Sequence, residues 1–148
     1  MIPVYLSLGS NLGDRETNLT QALSHLEASL GVPCAACSSF LETEPWGYAS
    51  SHAFVNACAR FDLPWEETED SALRLLDICK EIESAMGRIQ RLPGEGYRDR
   101  IIDIDILLFG DLRMHTSRLT IPHPLMRKRD FVMIPLGEIL KKKRKFAD

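Results

Sequence analysis

Arg100-Ile101-Ile102-Asp103-Ile104-Asp105-Ile106-Leu107-Leu108-Phe109 decides the fold and points to the chemistry. Apart from the arginine and the two aspartates this stretch is apolar and rich in isoleucine, which at this length reads as a strand. Side chains alternate faces along a strand, so Asp103 and Asp105 share one face, roughly 7 Å apart, while Ile102, Ile104, Ile106 and Leu108 share the other and face a core. Two carboxylates this close repel unless a cation or a proton lies between them. A half-solvated sheet face that happens to be acidic has the same pattern. The functional alternative is a pair of hard oxygen ligands for one or two Mg²⁺, which commonly bridge to substrate phosphates.

The chain around this strand has 148 residues, 45% hydrophobic and 26% charged, which suits one globular domain over 1–148 with a real core. A net charge of -3 argues against a nucleic-acid partner. The run Lys141-Lys142-Lys143-Arg144-Lys145 is a local exception that reads as a solvated end. Met1 to Tyr5 lacks the basic start of a signal peptide, and no apolar run approaches a membrane span, so a cytoplasmic protein is expected. Cys34 and Cys37 have the spacing of a zinc or redox pair, but no second pair stands at finger distance. With Cys58 and Cys79 in apolar stretches, the cysteines read as reduced thiols acting as small hydrophobes.

Ile2 to Leu8 is predicted as a first strand with Val4, Leu6 and Leu8 on one face. Asp14 is placed to cap a helix running to about Leu30, with Leu19, Ala22, Leu23, Leu26 and Leu30 as its apolar stripe and Gly31 and Pro33 as its stop. Gly9 to Gly13 is a strand-to-helix turn. It lacks the lysine and hydroxyl residue that a Walker phosphate loop needs after its last glycine. Cys34 to Thr43 reads as a second strand and Ala53 to Leu63 as a third. A second helix is expected from about Glu66 to Met86, its core face carrying Leu73, Leu76, Ile82 and Met86 with Leu75 and Cys79 beside them. Leu112 to Met114 reads as a short strand returning along the acidic one, Leu125 to Lys128 as a helical turn, and Pro135 as part of the first turn of a last short helix. The order strand, helix, strand, strand, helix, strand gives an α+β sandwich of the ferredoxin-like type, with an antiparallel sheet and the acidic strand beside the first.

Three further features carry chemistry. Arg88, Arg91, Arg98 and Arg100 approach the acidic strand in a loop that also holds Gly94 and Gly96. Guanidinium forks suit phosphate oxygens, though arginines beside carboxylates also form plain surface ion pairs. Asn56 is an amide in an apolar strand. It is either a satisfied core amide or a reader of a flat polar ring, with Phe54 stacking nearby. His123 is fixed between two prolines and is either a structural histidine or a ligand contact.

Together these residues resemble the 6-hydroxymethyl-7,8-dihydropterin pyrophosphokinases of folate biosynthesis. The resemblance rests on Arg100 with Asp103-Ile104-Asp105 through Gly110, on Leu119-Thr120-Ile121-Pro122-His123 followed by Arg129-Asp130-Phe131, and on Phe54-Val55-Asn56-Ala57. It implies an ATP- and magnesium-dependent transferase that moves the terminal pyrophosphate of ATP, as co-substrate, to the pterin hydroxymethyl group. The implied roles are two Mg²⁺ on Asp103 and Asp105, with Asp105 also accepting the hydroxyl proton, and Arg88 and Arg100 acting catalytically on the phosphates. Glu83, Ile106, Arg118, Thr120 and His123 are implied on the ATP side beside those arginines, and Thr43, Trp46, Phe54, Asn56, Asp103, Arg129 and Phe131 around the pterin. A monomer with small-molecule substrates, and with neither nucleic acid nor membrane as partner, is expected. Some positions depart from the family pattern: Tyr97-Arg98-Asp99 stands where Trp-Gly-Pro is frequent, Phe54 where tyrosine is, and Pro124 where an aromatic is.

Two other readings compete. A two-metal phosphohydrolase would use water in place of the pterin. A ferredoxin-like RNA-binding module would display stacking aromatics on its sheet, where this chain puts two aspartates.

Overall fold

The computed structural model describes residues 1–44, 53–87 and 101–147, with side chains to residue 140. The first strand, β1 (Ile2–Ser10), leads into helix α1 (Arg15–Leu30), and two short strands follow, β2 (Cys34–Cys37) and β3 (Leu41–Thr43). Next come β4 (Phe54–Leu63), helix α2 (Glu69–Ala85) and the acidic strand β5 (Asp103–Phe109). The chain ends with β6 (Met114–His115), β7 (Thr120–Ile121), a 3-10 turn at Met126–Lys128 and helix α3 (Asp130–Ala147). The main sheet runs β2-β4-β1-β5 with every pair antiparallel, and β3 pairs with the other end of β4. The acidic strand therefore lies beside β1, as the α+β reading expects. No helix among the described residues is long and apolar enough to cross a membrane.

The sheet has a core on each face. Val4, Leu6, Leu8, Ala57, Ala59, Phe61, Ile104 and Ile106 pack beneath α1 and α2, meeting Leu19, Ala22, Leu26, Leu75, Cys79 and Ile82. On the opposite face Tyr5, Cys58 and Leu107 meet Val132, Leu136 and Ile139 of α3. Truncating a fully buried side chain such as Phe61 would cost about 3–5 kcal/mol. Asp14 caps α1, its carboxylate accepting from the Thr17 N–H at 3.1 Å, and Gly31 ends that helix with a left-handed φ of 72°. Thr68 caps α2 in the same way, accepting from the Ser71 N–H at 3.2 Å.

Five local expectations change. Cys34 to Thr43 is two strands rather than one. At the break the Ser38 hydroxyl replaces a main-chain carbonyl in accepting the Cys58 N–H (2.9 Å), and Ser39 donates through its N–H and its hydroxyl to Glu138 of α3 (3.0 and 2.9 Å). The innermost line of α2 is Ala72, Leu75, Cys79 and Ile82, with Leu73, Leu76 and Met86 only partly buried on its flanks. In β5 the register against β1 slips by one residue: Leu6 faces Ile106 but Tyr5 faces Leu108, leaving Leu107 as a bulge. Leu108 consequently packs on the α3 side and not with Ile104 and Ile106. The chain after β5 does not return along it. Met114–His115 pairs with Thr120–Ile121 in a separate hairpin. Lastly, Pro135 falls in the second turn of an 18-residue α3, because Val132, Leu136 and Ile139 bury on both sides of the lost hydrogen bond.

The four thiols are free, and burial raises the pKa of each. Cys34 is pushed up to about 11 by burial first and then by neighbouring Cys37, and Cys58 is pushed up to about 12 by burial. These groups stay protonated near neutral pH and behave as small apolar side chains.

Candidate active site

The β1–β4 and β1–β5 registers set two rows of residues across one sheet face. Asn56, Gly9 and Asp103 lie side by side, and one step along lie Cys58, Ser7 and Asp105. Paired residues project to the same side of a sheet, so both carboxylates share a face with Asn56. It is also the face that α3 covers further along, where the Cys58 thiol donates to the Val132 carbonyl at 3.6 Å. The aspartates therefore sit where the sheet emerges past the start of α3. Both are only partly buried, whereas Ile104 between them is 5% exposed in the opposite core.

On the β1 side of Asp103 lie Asn56, Thr43 and Phe54. Asn56, 3% exposed, donates its amide N–H to the Thr43 hydroxyl at 2.8 Å. Gly9 makes room for it: a Cβ there would stand 2.9 Å from Asn56 Oδ1 and 3.4 Å from Phe54 Cδ1. Thr43 and Phe54 are themselves cross-strand partners. Arg15 ties this end of the sheet to α1, donating to the Ala53 carbonyl at 2.8 Å with its guanidinium 3.6 Å from Glu42. Beyond, Arg129 lies over the Phe131 ring at 5.5 Å.

On the outer side of β5 the neighbours differ. The bulge at Leu107 frees its carbonyl, which accepts the His123 N–H at 3.0 Å, and this bond docks the segment after β7 against the acidic strand. His123 Nδ1 accepts from the Leu125 N–H at 3.2 Å, so Nε2 carries the proton of the neutral ring. Burial first, then the Arg129 guanidinium, hold the His123 pKa below its ordinary value, against the opposing pull of Asp103. Thr120 contacts His115 across the hairpin at 3.4 Å, and Arg118 pairs with Asp77 of α2. Glu83, 5% exposed near the end of α2, accepts the Ile104 N–H at 2.8 Å.

A family model described as 7,8-dihydro-6-hydroxymethylpterin-pyrophosphokinase matches residues 5–141. The chain belongs to that family. A Porphyromonas gingivalis protein named 2-amino-4-hydroxy-6-hydroxymethyldihydropteridine pyrophosphokinase is 44% identical over 140 residues, 94% of this chain and 91% of the relative. Proteins of the same name from Haemophilus influenzae and Bacillus subtilis are 40% and 37% identical, covering 94% and 97% of this chain and 82% and 81% of their own lengths.

Within this pyrophosphokinase fold the structure brings together Thr43, Phe54, Asn56, Asp103 and Asp105 on one face, with His123 and Arg129 close enough to influence one another. Phe131 stands by Arg129 at the start of α3. Ile106 is 2% exposed in the opposite core, so its side chain does not share the aspartate face. The Arg118 side chain is held on Asp77, and Glu83 is engaged with the β5 main chain. Trp46, Arg88, Arg100 and the glycine-bearing loop between those arginines lie outside the described residues. Sequence reasoning missed Gly9 and Ser7, which floor the site, Asp77, and the bulge at Leu107. The predicted first strand ends at Leu8 and gives Gly9 to the turn, whereas β1 runs on to Ser10, so the close approach that a glycine inside a strand signals was hidden by the misplaced boundary. Asp77 and the bulge depend on partners distant in sequence and had no local signal.

Proposed function

We propose that this protein transfers the β,γ-pyrophosphoryl group of ATP to the hydroxymethyl oxygen of 6-hydroxymethyl-7,8-dihydropterin, releasing AMP, as a step of folate biosynthesis. The observation that carries the reading is the position of Asp103 and Asp105, side by side on one strand face, between the Asn56–Thr43–Phe54 slot and the His123 segment, in a chain of this family. The slot suits a flat ring with a polar edge, because an amide can both donate and accept at that edge. The same 148 residues act as one domain, since both cores share a single sheet.

Two Mg²⁺ ions fit the donors present. Among the described residues no cluster of three or more His, Cys, Asp or Glu side chains could cage a metal. Magnesium held by one or two carboxylates keeps its other positions for water and phosphate oxygens. Asp103 and Asp105 would hold the ions, which when bound neutralise phosphate charge. The chain's own residues do the rest. Asn56 and Thr43 orient the pterin, with Phe54 and Phe131 supplying aromatic faces. Asp105 accepts the hydroxyl proton as the oxygen bonds to the β-phosphorus and the bond from that phosphorus to the AMP oxygen breaks. Arg88, Arg100, Arg118, Thr120 and His123 take the phosphates and nucleotide. Transfer of this kind gains chiefly from positioning and charge stabilisation.

A coupled assay for AMP tests the reading. AMP is expected only when ATP, Mg²⁺ and the hydroxymethyl pterin are all present. No AMP under those conditions, or equal ATP breakdown without the pterin, refutes it; the second outcome would favour a phosphohydrolase.

A further inference from the structure

The acidic strand is the last in the main sheet, so one side of its backbone has no strand partner among the described residues. Asp103 and Asp105 pair with Gly9 and Ser7 of β1, and between them Ile104 turns its N–H outward. That N–H is met at 2.8 Å by Glu83, a carboxylate 5% exposed on α2 and separated by 21 residues in sequence. A carboxylate is costly to bury, and it is placed here on the Asp103–Ile104 peptide, one of the two that link the aspartates. From this geometry we infer that Glu83 is a positioning residue: it clamps the outer edge of β5 through Ile104 and thereby sets the spacing and direction of the Asp103 and Asp105 carboxylates. A hydrogen bond to a charged acceptor holds the pleat more firmly than water would at an open edge. Leu75, Cys79 and Ile82 pack under the same strand and keep the clamp dry.

The consequence for function rests on the reading of the aspartates as magnesium ligands; the clamp itself does not. Two substitutions separate the possibilities. Glu83→Gln keeps a carbonyl acceptor for the Ile104 N–H and removes the charge, whereas Glu83→Ala removes both. Hydrogen exchange at the Ile104 amide is measured on the ligand-free protein, alongside the Mg²⁺ concentration for half-maximal AMP formation and the KM for ATP. Glu83→Ala is expected to exchange about tenfold faster or more at Ile104, as loss of a charged acceptor predicts. Its magnesium requirement should rise by a similar factor, with Glu83→Gln restoring most of both. Parental exchange at Ile104 in Glu83→Ala overturns the clamp. So does a Glu83→Gln protein that loses protection at Ile104, a test that holds even where the alanine variant does not fold. Parental magnesium dependence in Glu83→Ala, with a raised KM for ATP alone, would instead make Glu83 a nucleotide contact. If the parent forms no AMP, the functional reading fails, and the exchange measurement still decides the clamp.

Discussion

At the scale of single residues the site depends on two close approaches. Asp103 and Asp105 stand on adjacent same-face positions of β5, and each removed carboxylate relieves repulsion in the metal-free protein. Asp103→Ala and Asp105→Ala are therefore expected to fold and to lose AMP formation by about a hundredfold to a thousandfold, as loss of a charge-stabilising group does. Wild-type turnover in either variant would remove the metal reading. Gly9 makes the second approach. A methyl group there meets Asn56 Oδ1 at 2.9 Å and Phe54 Cδ1 at 3.4 Å, and both are substrate-facing side chains in the proposed reading. Gly9→Ala should displace Asn56 at a cost of about 1–3 kcal/mol. Because the strain falls on the pterin slot, the KM for the pterin should rise about tenfold or more while that for ATP stays near parental. A shift confined to ATP would place the slot elsewhere.

At the scale of elements, the helices are held at their starts by two caps that titrate differently. Thr68 caps α2 with a hydroxyl, and Thr68→Ala should cost about 1 kcal/mol at any pH. Asp14 caps α1 with a carboxylate whose pKa is lowered by its hydrogen bonds from Thr17. A depressed folded-state pKa means that this cap stabilises above the ordinary value of 3.8 and is lost as pH falls through the lower folded-state value. Thermal melts at pH 6 and pH 3 separate the two: Asp14→Ala should lower the melting temperature clearly at pH 6 and much less at pH 3, whereas Thr68→Ala should lower it equally at both. The Asp14 cap was legible because it is a local pattern, a capping side chain three residues before the N–H that it receives, whereas α2 was expected from about Glu66 and starts only after Thr68. The alternation in β5 was legible for the same reason as far as Ile106. Past that point Leu107 and Leu108 are equally apolar, and only the register against β1 shows that one of them is extra. The break in Cys34–Thr43 rests on Glu138, about a hundred residues away, and no local pattern could announce it. The core line of α2 was misjudged because apolar residues lie on more than one side of that helix, and the sheet beneath decides which side is inner.

At the scale of the whole molecule the proposed ligands bridge parts that the covalent chain leaves far apart. Thr43 and Asn56 come from β3 and β4, the aspartates from β5, His123 from the segment after β7, and Arg129 and Phe131 from the start of α3. The sequence motifs located these residues, and the antiparallel registers show why they converge: β1 lies between β4 and β5, so Gly9 is the only residue between Asn56 and Asp103 in their row. A ligand spanning that row is bound by the folded state alone and must raise its stability by mass action. With a non-hydrolysable ATP analogue and Mg²⁺ at about a hundred times the dissociation constant, the gain is about 2.7 kcal/mol, or a rise of about 5–10 °C in melting temperature for a chain of this size. Adding the pterin should raise it again, because the two ligands meet at the aspartates. A chelator of Mg²⁺ should abolish the nucleotide part of the rise, and Asp103→Ala should lack it with or without the metal. Gly9→Ala should keep the nucleotide shift and lose most of the pterin shift, since its strain lies on the other side of Asp103. An equal rise for nucleotide in parent and Asp103→Ala, unaffected by the chelator, would mean that the triphosphate binds away from β5.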